Sequence, residues 1–317
     1  MTIQKIILFC TIFCLYLPAW AQNTQVRYAI IPENPVPGEP VTVAIDTSGV
    51  KDVKTATLST IKGKKLARAL FFKLQSDADN PPVMAAVLAV PNTAEAGFAS
   101  ISIEGAAGVI QEIPLVIRER KFNSETVELN EALTGLRVDP DPVKTKEAEQ
   151  LWAILNKTGT EIYNAGAFSP PVTSTRRTSF FGDRRVYQYS NGKTDTTVHA
   201  GIDYGVPTGT PVRACAAGKV ILAKPRIVTG NSVVIEHAPG IYSLYYHMSK
   251  IVVAEGAMVQ AGTLLGESGS TGLATGPHLH WEIRVSGESA DPDICIARPL
   301  LDKEAILAII NNETTKN

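Results

Sequence analysis

The sequence predicts a mainly β protein with two strand-rich domains. Short runs of β-branched and aromatic residues alternate with glycine- and proline-rich turns, both before residue 120 and after residue 169. Helix-type spacing is confined to a segment between these two regions and to the C-terminal end. At 317 residues, the chain is long enough to give each domain a hydrophobic core.

Residues 1–21 are predicted to be a secretory signal peptide. Lys5 precedes the apolar run Ile6–Leu17, and Ala19-Trp20-Ala21 follows as a small-residue cleavage pattern. The apolar run is too short for a stable bilayer anchor, so no transmembrane segment is expected after cleavage. The formal net charge of −1 lacks the basic excess of a nucleic-acid-binding protein, so nucleic acid is not an expected partner.

Residues 22–120 form the first predicted domain. About seven strands in about 100 residues favour an immunoglobulin-like β-sandwich. No histidine precedes His199 and the carboxylates are scattered, so we interpret this domain as a spacer or as a module that binds a protein partner. The candidate strands are Val26–Ile31, Val41–Ile45, Val53–Leu58, Leu66–Leu74, Val83–Val90, Ala99–Ile103 and Ile110–Ile117.

Residues 121–168 are predicted to be a connector with a short helix. Asp139-Pro140-Asp141-Pro142 interrupts the chain, and apolar residues then recur at helical spacing from Lys144 to Leu155. We expect this helix to pack its apolar face on a neighbouring domain. Residues 299–317 are predicted to form a C-terminal helix and tail.

Residues 169–298 form the second predicted domain, which is again rich in strands. Along its last strand, Leu279, Trp281 and Ile283 alternate with polar residues, so the apolar side chains are expected to point into the core. The intervening polar side chains are then expected to face a groove. The clearest candidate strands are Val212–Cys215, Lys219–Ala223, Ser232–His237, Tyr242–Tyr246 and His278–Val285.

The mature chain would retain two cysteines, Cys215 and Cys295. In an oxidising compartment they could form a disulfide. The alternative is two buried thiols. The sequence leaves both outcomes open, because it does not give the distance between the two Cα atoms.

Four of the five histidines lie in short motifs of the second domain. Neutral imidazole is a common ligand of transition metals. On extended backbone, His199 and Asp203 share one face, and so do His278 and His280. Two adjacent strands of this kind would bring two nitrogens and a carboxylate oxygen to one point. Three protein ligands and an open water position are typical of a catalytic zinc site, although the spacing does not distinguish His278 from His280 as the ligand.

These motifs resemble the lysostaphin/LytM-type zinc endopeptidases that cut peptidoglycan. The resemblance covers about residues 169–298. It implies an antiparallel β-sheet peptidase domain with an open groove. The residues that carry it are His199-Ala-Gly-Ile-Asp203-Tyr204, Gly209-Thr210-Pro211-Val212, Tyr245-Tyr246-His247 and the run from Thr271 to Glu282.

The resemblance also implies a role for each motif residue. The residues matching His199, Asp203 and His280 would hold Zn²⁺, and those matching His247 and His278 would act on the attacking water and on the transition state. The expected function is therefore a secreted zinc metallo-endopeptidase that hydrolyses peptide cross-links of peptidoglycan. Its partners would be stem peptides and cross-bridges, and its location would be periplasmic or associated with the cell envelope.

Three further features and one alternative follow from the same motifs. Four arginines precede His199, and we hypothesise that one or two of them hold a carboxylate of the stem peptide at the groove rim: Arg176, Arg177, Arg184 and Arg185. We expect Glu282 to hold a metal-binding histidine in place, and His237 to be a structural histidine. The alternative function is a non-catalytic regulator that has the same fold and that binds and activates another cell-wall hydrolase. Degenerate members of the family lose ligands, so the complete set of motif residues favours the enzyme.

Overall fold

The computed structural model describes residues 26–75 and 81–312. Within these ranges the chain is mainly β, with 22 strands and four helices, which confirms the predicted fold class. The predicted signal peptide, residues 1–21, lies outside the described residues. No helix in the described part of the chain is both long enough and apolar enough to cross a bilayer.

The N-terminal region contains two four-stranded sheets. The first has the order β1-β2-β6-β5 and the second has the order β4-β3-β7-β8. All neighbouring strands in both sheets are antiparallel. The strands are β1 (Tyr28–Ile31), β2 (Pro40–Asp46), β3 (Val53–Thr60), β4 (Lys65–Leu70), β5 (Phe72–Gln75), β6 (Val83–Ala89), β7 (Gly97–Gly105) and β8 (Gly108–Ile117).

The run Leu66–Leu74 is divided between two strands, where the sequence suggested one. Phe71 and Phe72 are consecutive and both buried, whereas neighbouring residues of one strand point to opposite faces. Phe71 packs in the core between the two sheets, and Phe72 packs on the opposite face of the first sheet. The chain therefore crosses from the second sheet to the first at this point.

The first sheet is covered on both of its faces. One face shares a core with the second sheet, in which Val43, Leu58 and Ile101 are fully buried. The other face shares a core with the C-terminal half of the chain, in which Ala44 and Ile283 are fully buried. One core thus joins residues from both halves of the chain, and it does not separate the two predicted domains. The immunoglobulin-like assignment and the predicted domain boundaries stay predictions.

The connector has more regular structure than expected. It contains strand β9 (Ser124–Glu128), helix α1 (Glu131–Val138) and helix α2 (Pro142–Leu155). The predicted helix corresponds to α2, whose N-cap carboxylate on Asp141 accepts the backbone N–H of Val143 at 2.7 Å. Strand β9 and helix α1 were missed by the sequence analysis.

The C-terminal half contains one large antiparallel sheet with the order β10-β13-β21-β17-β16-β15-β19, with β22 paired to β21. Two three-stranded sheets flank it, with the orders β12-β11-β9 and β14-β20-β18. The elements are β10 (Arg177–Ser179), β11 (Arg184–Gln188), β12 (Thr194–Val198), β13 (Ile202–Tyr204), β14 (Pro211–Arg213), β15 (Gly218–Arg226), β16 (Gly230–Ala238), β17 (Ile241–Met248), β18 (Lys250–Ile251), β19 (Met258–Val259), β20 (Leu264–Glu267), β21 (Leu279–Val285), β22 (Glu288–Ala290), α3 (Pro292–Ala297) and α4 (Lys303–Asn312).

The two faces of strand β21 follow the predicted alternation. Leu279, Trp281 and Ile283 are fully buried in the core below the sheet. On the opposite face, helix α2 packs Leu155 against Tyr242 and other apolar residues of β15, β16 and β17. Helix α2 therefore covers the part of this face that β15, β16 and β17 form.

The two cysteines of the predicted mature chain are buried and unpaired. Cys215 follows β14, and Cys295 lies in α3. Of the two outcomes that the sequence leaves open, the structure shows the pair of buried thiols.

Candidate metal centre

The pairing of β13 with β21 brings two of the predicted metal ligands together. Asp203 and His280 are direct partners across these antiparallel strands. The register requires a very close approach at Gly201, where an added Cβ would lie 2.2 Å from the carbonyl oxygen of Trp281. Glycine at this position therefore allows the two strands to meet.

His199 completes a compact triangle of ligand atoms with Asp203 and His280. The distances are 3.1 Å from His199 Nε2 to Asp203 Oδ1, 3.0 Å from His199 Nε2 to His280 Nδ1, and 2.7 Å from His280 Nδ1 to Asp203 Oδ1. All three residues are buried, and they form a cluster that could hold a metal ion. Metal–ligand bonds of about 2.0–2.1 Å in tetrahedral geometry place ligand atoms about 3.4 Å apart, so a small shift would fit the triangle to zinc.

Hydrogen bonds orient both imidazoles toward the centre of the triangle. His199 Nδ1–H donates to the carbonyl oxygen of Phe180 at 2.8 Å, which leaves Nε2 for a metal. His280 Nε2–H donates to Glu282 Oε1 at 2.9 Å, which leaves Nδ1 for a metal. Arg284 Nε in turn donates to Glu282 Oε2 at 2.7 Å. The expectation that Glu282 holds a histidine in place agrees with this contact.

Asp203 is held by an ion pair on its other side. Arg185 Nη2 donates to Asp203 Oδ2 at 2.5 Å, and Arg185 Nε donates to Glu125 Oε1, also at 2.5 Å. Asp203 Oδ1 is thereby directed into the triangle. Glu125 lies on β9 of the connector, and the sequence analysis did not identify it as a site residue. Its signal in the sequence is weak, since it is one of many scattered carboxylates before His199.

The charges of the site favour an ionised carboxylate at each end of His280. Burial would raise the pKa of Asp203, but His280 and His199 hold it well below its usual range. Burial would likewise raise the pKa of Glu282, but Arg284 and His280 hold it low. Burial would lower the pKa of His280, yet Asp203 and Glu282 raise it to about 9. The centre therefore attracts positive charge, as a cation-binding site must.

His247 and His278 lie beside the triangle, with their ring centroids 4.7 Å apart. His247 Nδ1–H donates to the carbonyl oxygen of Thr271, and His278 Nδ1–H donates to that of Gly276, each at 2.8 Å. The Nε2 atom of each ring is thus left as the base. His278 Nε2 lies 3.9 Å from Asp203 Oδ1. His247 adopts a left-handed backbone conformation with φ of 60° near the end of β17, an arrangement that is uncommon for residues other than glycine.

The surroundings of both of these histidines favour the neutral ring. Burial, followed by repulsion from His278 and His280, lowers the pKa of His247 to about 3. Burial is also the largest influence on His278, and it lowers the pKa of that ring below its usual value. A neutral imidazole whose Nδ1–H is already bonded presents Nε2 as a hydrogen-bond acceptor for a water molecule.

The histidines line a groove with a volume of about 420 Å³. One wall comes from β9, α1 and the hairpin of β11 and β12, and the other wall comes from residues 273–278. At one end, Leu273 packs against an apolar cluster of the first wall that includes Leu129 and Tyr187. The groove is therefore bounded by the connector as well as by the large sheet.

The hypothesis that Arg184 and Arg185 bind a substrate carboxylate finds no support in this arrangement. Arg184 donates to the carbonyl oxygens of Gly182 and Asn92, and its guanidinium lies over the ring of Phe122. Arg185 is occupied by two carboxylates of the protein, as described above. Sequence reasoning identified the arginines but not their partners Asn92 and Glu125, because these two residues come from distant segments.

His237 lies apart from the candidate metal centre, as expected for a structural histidine. It is fully buried, and its Nδ1–H donates to the carbonyl oxygen of Ala217 at 2.7 Å. The hydroxyl of Ser243 lies 2.7 Å from its Nε2. Both ring nitrogens therefore have partners within the core.

Comparison with known proteins identifies the class of the region that contains this centre. Residues 197–292 match the model of Peptidase family M23. The matched region includes all five residues of the candidate site. In overall fold, the chain is similar to a crystal structure described as a peptidase M23 of Pseudomonas aeruginosa. The two share 25% sequence identity and a TM-score of 0.56, over 83% of this chain and 94% of that one.

Curated relatives share the same region. The chain is 40% identical over 142 residues to the DD-carboxypeptidase/endopeptidase Mpg of Neisseria meningitidis serogroup B, covering 44% of this chain and 32% of the relative. It is 36% identical over 132 residues to the peptidoglycan DD-endopeptidase ShyA of Vibrio cholerae, covering 42% of this chain and 30% of the relative. The chain thus spans about a third of the length of the curated relatives it matches.

Proposed function

We propose that this protein is a zinc metallo-endopeptidase that hydrolyses peptide cross-links of peptidoglycan. The observation that carries the proposal is the triangle of His199 Nε2, Asp203 Oδ1 and His280 Nδ1, with two neutral histidines beside it in one groove. Similarity to proteins named as peptidoglycan endopeptidases supports the substrate class.

The three ligand residues would hold Zn²⁺, because two imidazole nitrogens and one carboxylate oxygen are a typical donor set of catalytic zinc. When bound, zinc lowers the pKa of water to about 7 and polarises a carbonyl group. Phe180, Glu282 and Arg185 fix the orientation of the ligands through the hydrogen bonds described above. The protein therefore needs little rearrangement to bind the ion.

His247 and His278 would carry the proton transfers of amide hydrolysis. Each has Nδ1 bonded to a backbone carbonyl, so its Nε2 can accept the proton of the attacking water. After accepting a proton, either ring can donate a hydrogen bond to the developing oxyanion or pass the proton to the leaving amine. Positioned acid–base groups of this kind typically contribute about 10²–10⁴-fold in rate.

The location of the substrate sets the location of the enzyme. Peptidoglycan lies outside the cytoplasmic membrane, and the sequence of residues 1–21 is typical of a secretory signal. We therefore infer secretion across the inner membrane and a periplasmic or envelope-associated site of action. We further propose that the N-terminal region binds a protein partner.

The proposal is tested with the purified mature chain. We expect about one zinc per chain and the release of cleaved stem peptides from isolated sacculi. His280→Ala should lose both metal and cleavage, whereas His278→Ala should keep most of the metal and lose cleavage. A chain that takes up no zinc, and that supports wall cleavage only when a second hydrolase is added, would be a regulator instead.

A further inference from the structure

We propose that Glu125, on the connector strand β9, is a positioning residue of the metal centre that acts on Asp203 through Arg185. This inference rests on the proposed function, since it takes Asp203 to be a metal ligand. It extends the site to a residue that lies outside the matched region, residues 197–292.

Pairing of β9 with β11 places the residues of this chain of contacts next to one another. The two strands are parallel, and Glu125 is the direct partner of Arg185. Arg185 then spans the space between Glu125 Oε1 and Asp203 Oδ2, with 2.5 Å at each contact. The hydroxyl of Ser179 also donates to Glu125 Oε1 at 2.7 Å, which fixes the carboxylate from the other side.

The charges explain why Arg185 requires a second carboxylate. Its side chain is 14% exposed, so its positive charge is poorly solvated and needs compensation within the protein. If Asp203 were its only partner, the full charge of the guanidinium would act on the carboxylate that must also bind a cation. Glu125 offsets that charge. Arg185 can therefore orient Asp203 Oδ2 while Oδ1 keeps its negative character toward the metal.

On the opposite side of the centre, a carboxylate and an arginine likewise support a ligand residue. Glu282 binds His280 Nε2–H and is itself held by Arg284 at 2.7 Å. There the supporting carboxylate and arginine lie on the same strand as the ligand. On the Asp203 side, the carboxylate comes from a segment 78 positions earlier in the sequence. The connector is thus a structural part of the metal centre.

The test uses the full mature chain and two matched variants of strand β9. Glu125→Gln removes the charge with almost no change in shape, and Glu128→Gln makes the same change at an exposed residue of the same strand. We expect Glu125→Gln to weaken zinc binding about 10-fold or more, as measured by competition with a chromophoric chelator. The absorption bands of the Co²⁺-loaded protein should change as well, because the carboxylate ligand is less firmly oriented. Glu128→Gln should match the wild type in both measurements.

A double-mutant cycle shows whether Glu125 acts through Arg185. Arg185→Gln should also weaken zinc binding. We expect the double variant to bind zinc no more weakly than Arg185→Gln alone, because Glu125 then has no arginine to neutralise. If the two losses multiply instead, Glu125 does not act through Arg185, and the inference fails.

Other outcomes separate the inference from the proposed function. A wild-type chain that binds no zinc overturns both. If the wild type and Glu125→Gln bind zinc equally tightly, the inference is overturned and the proposed function is not. Thermal unfolding of the metal-free proteins is the control for folding. A zinc loss in Glu125→Gln that is accompanied by a large fall in Tm, and that Glu125→Asp does not restore, would show a merely structural role and would overturn the inference.

Discussion

Asp203 and His280 face each other across neighbouring strands, with 2.7 Å between Oδ1 and Nδ1. This relationship depends on the register of β13 and β21. Three backbone pairs set that register, and Gly201 lies directly before the first of them. The positions of Asp203 and His280 therefore follow from how closely the two strands approach, and His199 joins them from the segment between β12 and β13.

We predict that Gly201→Ala disrupts the centre without touching any ligand. The added Cβ would lie 2.2 Å from the carbonyl oxygen of Trp281, so the backbone of β13 must move away from β21. We expect a loss of about 1–3 kcal/mol in the free energy of unfolding, as for overpacking of a well-packed site. Zinc affinity should fall as well, because Asp203 moves with its strand.

The measurements are urea unfolding of the metal-free protein and chelator competition for zinc. Gly209→Ala is an instructive control, since Gly209 has a positive φ of 90° but no atom within 4 Å of an added Cβ. It should lower stability through backbone strain and leave zinc affinity unchanged. Equal zinc affinity in Gly201→Ala and in the wild type would contradict the prediction.

The sequence was informative wherever local pattern determines structure. Alternation along residues 279–285 correctly separated the buried apolar face from the face of His280 and Glu282. The resemblance supplied the assignment of His280 as a ligand, which the spacing alone left open. Helix α2 was predicted because apolar residues recur at helical spacing from Lys144 to Leu155, after the break at residues 139–142.

What the sequence did not show depends on contacts between distant segments. Strand β9 has five residues, and its hydrogen-bonding partner β11 lies about 60 positions away. No local pattern indicates such a parallel pairing. Glu125 and the true partners of Arg185 were missed for this reason. The crossing at Phe71 was missed because the run from Leu66 to Leu74 contains no glycine or proline to mark where the chain changes sheets.

We predict that Glu282 supports metal binding chiefly by its hydrogen bond to His280. Glu282→Gln keeps an oxygen that can accept the Nε2–H of His280 but loses the negative charge. Glu282→Ala loses both. Zinc affinity should therefore fall in the order wild type, Gln variant, Ala variant, with about a 10–100-fold loss for alanine. Chelator competition measures the series, and an alanine variant that binds zinc as tightly as the glutamine variant would contradict it.

We predict that His237 makes the metal-free protein less stable in mild acid. Burial lowers the pKa of His237 to about 4, whereas the ring in the unfolded chain titrates near its usual value of about 6.5. As the pH falls through about 6.5, the unfolded state binds a proton that the folded state does not, so unfolding becomes more favourable. The loss grows until about pH 4 and reaches at most about 3 kcal/mol.

The measurement is the free energy of unfolding in urea between pH 7 and pH 4.5, with a chelator present. His237→Gln should be less stable than the wild type at pH 7, because it loses hydrogen bonds in the core. Its stability should nevertheless fall less steeply with decreasing pH, since the substituted side chain does not titrate. Parallel curves for the two proteins would show that His237 is not responsible.

The last prediction separates binding of the metal from catalysis within one cluster of histidines. Neither His247 nor His278 contributes an atom to the ligand triangle, yet both lie beside it with Nε2 left as the base. His247→Ala and His278→Ala should each retain zinc within a few-fold of the wild type. Each should lower kcat for a soluble cross-linked stem peptide by about 10²–10⁴-fold, because a positioned proton acceptor is gone.

His280→Ala is the matched control on strand β21, and it should lose zinc and activity together. The two single variants also test whether the histidines share one task. If both rings act on the same proton, the double variant should be little slower than either single variant; if they serve different steps, the losses should multiply. Full activity in either single variant would remove that histidine from the mechanism. Loss of zinc in either would instead make it a ligand, and the triangle would then not be the complete metal site.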